Sequence, residues 1–241
     1  MKALLINANN TNTSFALASA THIPRVVRVP TAAIREIPFD ASEYDNVVLA
    51  SVVPAATKKL LRLLPARPLI VSASIDLGIG ISYPQRNQIG ADRLANAVGV
   101  AKLYGAPAIV VDFGTALTFD IVNSRSEYIG GVIAPGLAAV TDYLYQRTAL
   151  LPRIRLAEPR SVVGKSTVAA MRSGVVLGYR GLVKEILGAL RRERGLRNAV
   201  VVATGGYAHL MAKKIPGIGH VNPMLTLEGL RLIYVRNRKP L

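Results

Sequence analysis

The sequence predicts an α/β protein made of two related halves. Apolar runs of strand length alternate with stretches of helical apolar spacing. A strand, polar turn, strand pattern that begins with its turn at Asn7 returns at Asp112, 105 residues later. The longest apolar runs, such as Ala108–Val111 and Ala199–Ala203, fall far short of the roughly 20 residues that a membrane-spanning helix requires. Met1-Lys2 leads straight into a strand-like segment, and no targeting segment is visible.

In chain order, Lys2–Ala8 is a short apolar run, Asn9–Asn12 is polar, and Ser14–Ala18 resumes strand character, which together read as a β-hairpin. Asn46–Val53 reads as a strand, Ala55–Leu64 as a helix, Pro68–Ser72 as a strand and Asp92–Tyr104 as a helix ended by Gly105. The second hairpin comprises Ala108–Val111, the turn Asp112-Phe113-Gly114-Thr115 and the β-rich Leu117–Val122. Ser166–Leu190 has helical spacing with Ser166 or Thr167 as N-cap, and Gly174, Gly178 and Gly181 are expected to break or kink it. Ala199–Ala203 is a buried strand running into Thr204-Gly205-Gly206, with a helix from about Tyr207, a unit suited to close approach of a nucleotide. A boundary near Gly105 divides the chain into residues 1–105 and 106–241, and a nucleotide cleft between the halves would bring the two hairpin turns together.

With 241 residues, 51% of them hydrophobic, the chain can bury a sizeable core in one domain or two. It has no cysteine, so disulfides, thiolate metal ligands and thiol nucleophiles are excluded, and a cytoplasmic setting fits. His22, His209 and His220 are scattered without metal-ligand spacing. Thirty Lys and Arg against 14 Asp and Glu give a net charge of +16, compatible with nucleic acid, an anionic surface or phosphorylated substrates. The basic residues recur at Lys58-Lys59, Arg191-Arg192, Lys213-Lys214 and Arg236–Lys239 with few aromatics among them for base stacking, which reads as a solvated basic surface.

The two hairpin turns and Thr204–Gly206 form three loops rich in Gly, Thr or Asn, each weak alone as a nucleotide signal and more specific together. Gly90-Ala91-Asp92-Arg93 opens a helix, where Asp92 serves as N-cap or first-turn acid. The same pair suits phosphoryl transfer, with the carboxylate accepting a hydroxyl proton and the guanidinium fixing the acceptor or neutralising charge. Taken by spacing alone, Tyr83 is a loop aromatic and Thr167 a helix cap.

The segments Gly90-Ala91-Asp92-Arg93-Leu94-Ala95-Asn96-Ala97, Val111-Asp112-Phe113-Gly114-Thr115-Ala116 and Gly130-Gly131-Val132-Ile133-Ala134-Pro135-Gly136 occur in the order found in type III pantothenate kinases, which this chain resembles over nearly its whole length. Ser51–Pro54, Gly164–Thr167, Ala203–Gly206 and Leu225–Leu230 extend the resemblance. It implies two actin-like (ribonuclease H-like) halves of the acetate-kinase/hexokinase/actin type, a homodimer, and transfer of the γ-phosphate of ATP to pantothenate, the first step of coenzyme A biosynthesis. It implies Asp92 as the catalytic base, and Tyr83, Gly90, Ala91, Asp92, Arg93 and Thr167 as pantothenate contacts. Asn7, Ala8, Asn9, Asn10, Thr11, Asn12, Thr13 and Ser14 would form the first ATP loop, joined by Thr115, Gly205 and Gly206. Magnesium would accompany ATP, and Asp112 would hold a monovalent cation, potassium or ammonium.

The family's first loop reads Asp-x-Gly-Asn-Thr, whereas this chain has Asn7-Ala8-Asn9-Asn10-Thr11. The internal duplication makes the same point, because Asn7 stands where the second hairpin has Asp112. A neutral amide attracts a hard cation less than a carboxylate does, so metal affinity is expected to fall. Two other readings therefore stand beside the kinase: a catalytically lapsed relative that binds nucleotide or a partner, and a nucleic-acid-binding protein that uses the basic surface.

Overall fold

The computed structural model describes residues 2–238, so Met1 and Lys239, the last of the basic run at Arg236–Lys239, lie outside it. The opening hairpin forms where apolar runs flank the Asn/Thr turn. β1 (Ala3–Ala8) pairs antiparallel with β2 (Asn12–Ala18), from Ala3 opposite Ala18 to Ala8 opposite Thr13. β3 (Arg25–Pro30) adds to β2, β4 (Asn46–Ser51) adds parallel to the free side of β1, and β5 (Leu69–Ile70) extends β4, giving the order β3-β2-β1-β4-β5. Every residue of β1 is buried, as expected of a central strand covered on both faces. Leu4, Ile6, Phe15, Leu49 and Leu60 form the heart of this core, and truncating any of them to Ala costs about 2–5 kcal/mol. After β4 comes α1 (Pro54–Leu63), with Pro54 in its first turn, where a missing N–H costs least. β6 (Gly80–Ile81) precedes α2 (Ala91–Leu103), after which Gly105, at φ 91°, turns the chain in the left-handed conformation that suits glycine.

The second half repeats this plan with β7 (Ala108–Phe113), β8 (Ala116–Val122), β9 (Glu127–Pro135), α3 (Leu137–Arg147), α4 (Thr167–Arg192), β10 (Val200–Thr204), α5 (Ala208–Ala212), β11 (His220–Val221) and α6 (Leu225–Asn237). β7 is antiparallel to β8 and parallel to β10, and the strands lie in the order β11-β10-β7-β8-β9-β6, with β6 joining parallel to β9 at the edge. Leaving aside β6, and counting strands within each half, both sheets run third, second, first, fourth, fifth, the order of a duplicated actin-like fold. The predicted strands and helices lie within two residues of those observed.

α4 departs from expectation. It runs unbroken through Gly174, Gly178 and Gly181, where a Cβ would meet nothing within 4 Å. Each glycine costs a helix about 1 kcal/mol relative to Ala, an amount that packing of the buried Val176, Val183 and Leu187 offsets. Ser166 caps the helix, its Oγ accepting the Ala169 N–H at 3.2 Å. The segment before it is tied down by Glu158, which receives Arg180 and Lys214 and whose pKa these partners lower to about 2.

The chain forms two compact units. One takes the chain up to Ala106, Arg125–Gly130 and the stretch from Met224, and the other holds Pro107–Ser124 and Gly131–Pro223. In the first unit α6 packs closely on α2, because a Cβ at Gly229 would overlap the Ala95 carbonyl, and Thr226 Oγ1 donates to the buried Asn96 Oδ1 at 2.7 Å. Among the described residues, no helix is long and apolar enough to cross a membrane.

Candidate active site

In the first unit, the hairpin places Asn7 and Ala8 at the end of β1, Asn9, Asn10 and Thr11 in the turn, and Asn12, Thr13 and Ser14 at the start of β2. The Asn9 N–H donates to the Asn12 carbonyl at 3.1 Å, closing the turn. Thr31, which belongs to no recognisable motif, braces it. Its backbone N–H donates to the Thr11 carbonyl at 3.0 Å, its hydroxyl donates to the Asn9 carbonyl at 2.6 Å, and the Thr13 and Thr31 hydroxyls are 2.9 Å apart. Asn7 is 7% exposed, and the amide oxygens of Asn7 and Asn9 are buried with no hydrogen-bond partner. Within its sheet Asn7 lies opposite Ser14 and Ala50, just as Asp112 lies opposite Thr118 and Thr204 in the other, so the two occupy the same place in the repeat.

Gly90 is the N-cap of α2, Ala91 is its first residue, and Asp92 and Arg93 follow in the first turn. Asp92 is thus the first-turn acid rather than the cap. Its Oδ1 accepts the Arg93 backbone N–H at 2.8 Å. A Cβ at Gly90 would lie 2.6 Å from that oxygen, so the carboxylate folds back over the bare glycine. Burial pushes the Asp92 carboxyl above the ordinary aspartate value, against the opposing pull of the Arg93 N–H and the Arg93 charge. A carboxylate with raised proton affinity next to a guanidinium can take up a proton while neighbouring negative charge is held. Tyr83, half-buried in the loop before α2, lies in the same unit and meets Tyr128 edge-on, and Arg93 faces the ring of Tyr128. Tyr128 was invisible to motif reading, since a single aromatic in a strand looks like core.

In the second unit, Asp112 lies near the end of β7, Thr115 is exposed in the turn that follows, and Gly205 and Gly206 form the turn after β10. Gly205 has φ 89°, and a Cβ there would overlap the Asp112 carboxylate and lie 2.6 Å from the Phe113 carbonyl carbon. A Cβ at Gly114 would lie 3.2 Å from the same carboxylate oxygen. Asp112 thus sits in a cradle of glycine backbone. Thr167 is the exposed first residue of α4 in this unit.

The profile of the type III pantothenate kinase family matches residues 3–189. This chain belongs to that family. A type III pantothenate kinase of Akkermansia muciniphila is 51% identical over 237 residues, covering 96% of this chain and 98% of its own. One from Moorella thermoacetica is 46% identical, covering 83% and 80%. Among solved structures, the activator of the 2-hydroxyisocaproyl-CoA dehydratase from Clostridium difficile with bound ADPNP superposes with a TM-score of 0.56 at 13% identity, covering 98% of this chain and 94% of its own. A Campylobacter jejuni protein assigned to the Baf family of transcriptional activators gives 0.61 at 19% identity, covering 97% and 98%. At such identities the likeness shows the shared fold alone. Family membership favours the kinase over both the lapsed and the nucleic-acid readings.

Proposed function

We propose that the chain transfers the γ-phosphate of ATP to the hydroxyl of pantothenate, the first step of coenzyme A biosynthesis, with Asp92 as the base. The observation that carries this reading is a carboxylate at the start of α2 whose proton affinity burial has raised, beside Arg93. Asp92 accepts the hydroxyl proton as the acceptor oxygen bonds to the γ-phosphorus, and ADP leaves with the bridging oxygen. Tyr83, Gly90, Ala91, Arg93 and Thr167 position the acceptor. Asn7–Ser14, Thr115, Gly205 and Gly206 bind ATP, with backbone N–H groups and hydroxyls suited to phosphate oxygens. Residues 1–105 and 106–241 are the two repeats, and the working form is a cytoplasmic homodimer.

Two cations accompany this reading. Asp112 would hold the monovalent cation, its carboxylate supplying the negative charge beside the Gly114 and Gly205 backbone. Asn7 fits magnesium less well, since its buried, unpartnered oxygen is a neutral acceptor. When bound, the divalent ion neutralises charge on the transferred phosphoryl group. Purified protein incubated with ATP, magnesium, potassium and pantothenate should yield phosphopantothenate by mass spectrometry. Its absence across broad conditions, in folded protein that still binds ATP, would favour the lapsed reading.

A further inference from the structure

Tyr128 lies in β9 and is 1% exposed. β6 brings it to the acceptor residues, with Ile81 opposite Tyr128 and the Ser82 N–H donating to the Tyr128 carbonyl at 2.9 Å, so that Tyr83 follows directly. The Arg93 guanidinium carbon lies 5.8 Å from the Tyr128 ring centroid, within the range where a ring face attracts a cation. Tyr83 meets the same ring with centroids 6.1 Å apart and planes at 70°, the edge-to-face arrangement that aromatic rings favour. Two residues on, Gly130 has φ 132°, and a Cβ there would lie 3.6 Å from the Tyr83 ring. It is therefore the backbone conformation, and not lack of space, that calls for glycine here.

We propose that Tyr128 is a positioning residue for the acceptor, its buried ring holding the Arg93 guanidinium in the orientation that receives pantothenate. This rests on Arg93 contacting the acceptor, as read above. An arginine left free loses rotamer freedom when it binds, and one already held against a ring loses less, so the ring strengthens acceptor binding without touching the acceptor. It is the ring face of Tyr128 that acts on Arg93.

The test is calorimetric binding of pantothenate together with steady-state kinetics. Tyr128→Met, which fills the volume without a ring face, should raise the pantothenate Kd and KM about tenfold, with the KM for ATP and kcat changed by less than about twofold. Tyr128→Phe should stay within about twofold of the parent on every count. In an Arg93→Gln background, itself weak for pantothenate, Tyr128→Met should add nothing further. If Arg93→Gln weakens binding while Tyr128→Met does not, or if the two effects add fully, the role of Tyr128 is overturned and the acceptor role of Arg93 stands. If Arg93→Gln leaves pantothenate binding intact, the acceptor reading itself fails. Tyr128→Phe as harmful as Tyr128→Met would assign the effect to the hydroxyl and overturn the ring. A measurement that needs no variant is the NMR spectrum of the acceptor-free protein. There the Arg93 side-chain protons should be shifted upfield by the ring and rigid, and unshifted, motionally averaged signals would overturn the proposal.

Discussion

Gly205→Ala offers a measurable link between the turn after β10 and the carboxylate of Asp112. Gly205 has φ 89°, where an L-residue is strained by about 1–2 kcal/mol. The added Cβ would overlap Asp112 Oδ1 and fall 2.6 Å from C and 2.8 Å from N of Phe113. The carboxylate can swing aside, but the Phe113 backbone lies within β7 and can only move with its strand, an overpacking cost of about 1–3 kcal/mol. Together these give about 2–5 kcal/mol, which for a chain of this length lowers Tm by roughly 5–15 °C. Gly206→Ala is the matched control. Its Cβ would meet nothing within 4 Å, so its expected cost stays below about 1 kcal/mol. Thermal unfolding of both variants, with and without potassium and ATP, measures the difference, and Gly205→Ala should also shrink the stabilisation by potassium, since it displaces Asp112. A Gly205→Ala variant that melts within a degree or so of the parent, or a Gly206→Ala variant that is equally damaging, would mean that the Gly205 backbone does not confine Asp112.

Asp92→Asn should cut turnover by about 10²–10⁴-fold, since an amide cannot take the proton. Because burial raises the Asp92 pKa, its stabilising contribution is present below the ordinary value of 3.8 and is lost as pH rises through the raised folded value. The variant should therefore melt above the parent at pH 7 and lose that advantage in acid, whereas a lower Tm at pH 7 would mean that the hydrogen bond from Arg93 outweighs burial. Asn7→Asp places a charge where the amide oxygen is buried without a partner, so it should destabilise the free protein at neutral pH yet enlarge the stabilisation by magnesium and ATP and raise turnover. A thermal shift with magnesium-ATP no larger than the parent's, together with unchanged turnover, would show that the loop works around the amide.

The strands and helices that were legible in the sequence share one property, a signal contained in neighbouring residues. β1 and β7 read as unbroken apolar runs, α2 ends at a glycine in the left-handed conformation, and Ser166 caps α4 as its side chain dictates. The elements that stayed hidden lack such a signal. β3 is a largely exposed edge strand with two arginines among its six residues, and α6 buries Leu225, Leu227, Gly229, Leu230 and Ile233, which spread over more than half of the helix circumference rather than a narrow stripe. The candidate residues Asp92, Arg93, Asp112 and Gly205 could be named because they sit in short motifs. Thr31 and Tyr128 could not, since what marks them is contact with residues distant in the chain.

By itself the sequence determined the alternation of strands and helices, the repeat that puts Asn7 where Asp112 stands in the second half, and membership of a kinase family, all of them encoded in local order. Tertiary structure alone decided that α6 returns to pack on α2, that α4 continues through its glycines, that Asn7 buries an amide oxygen without a partner, and that burial raises the proton affinity of Asp92. Desolvation and packing depend on which distant side chains exclude water from a site, and no local stretch of sequence contains that information.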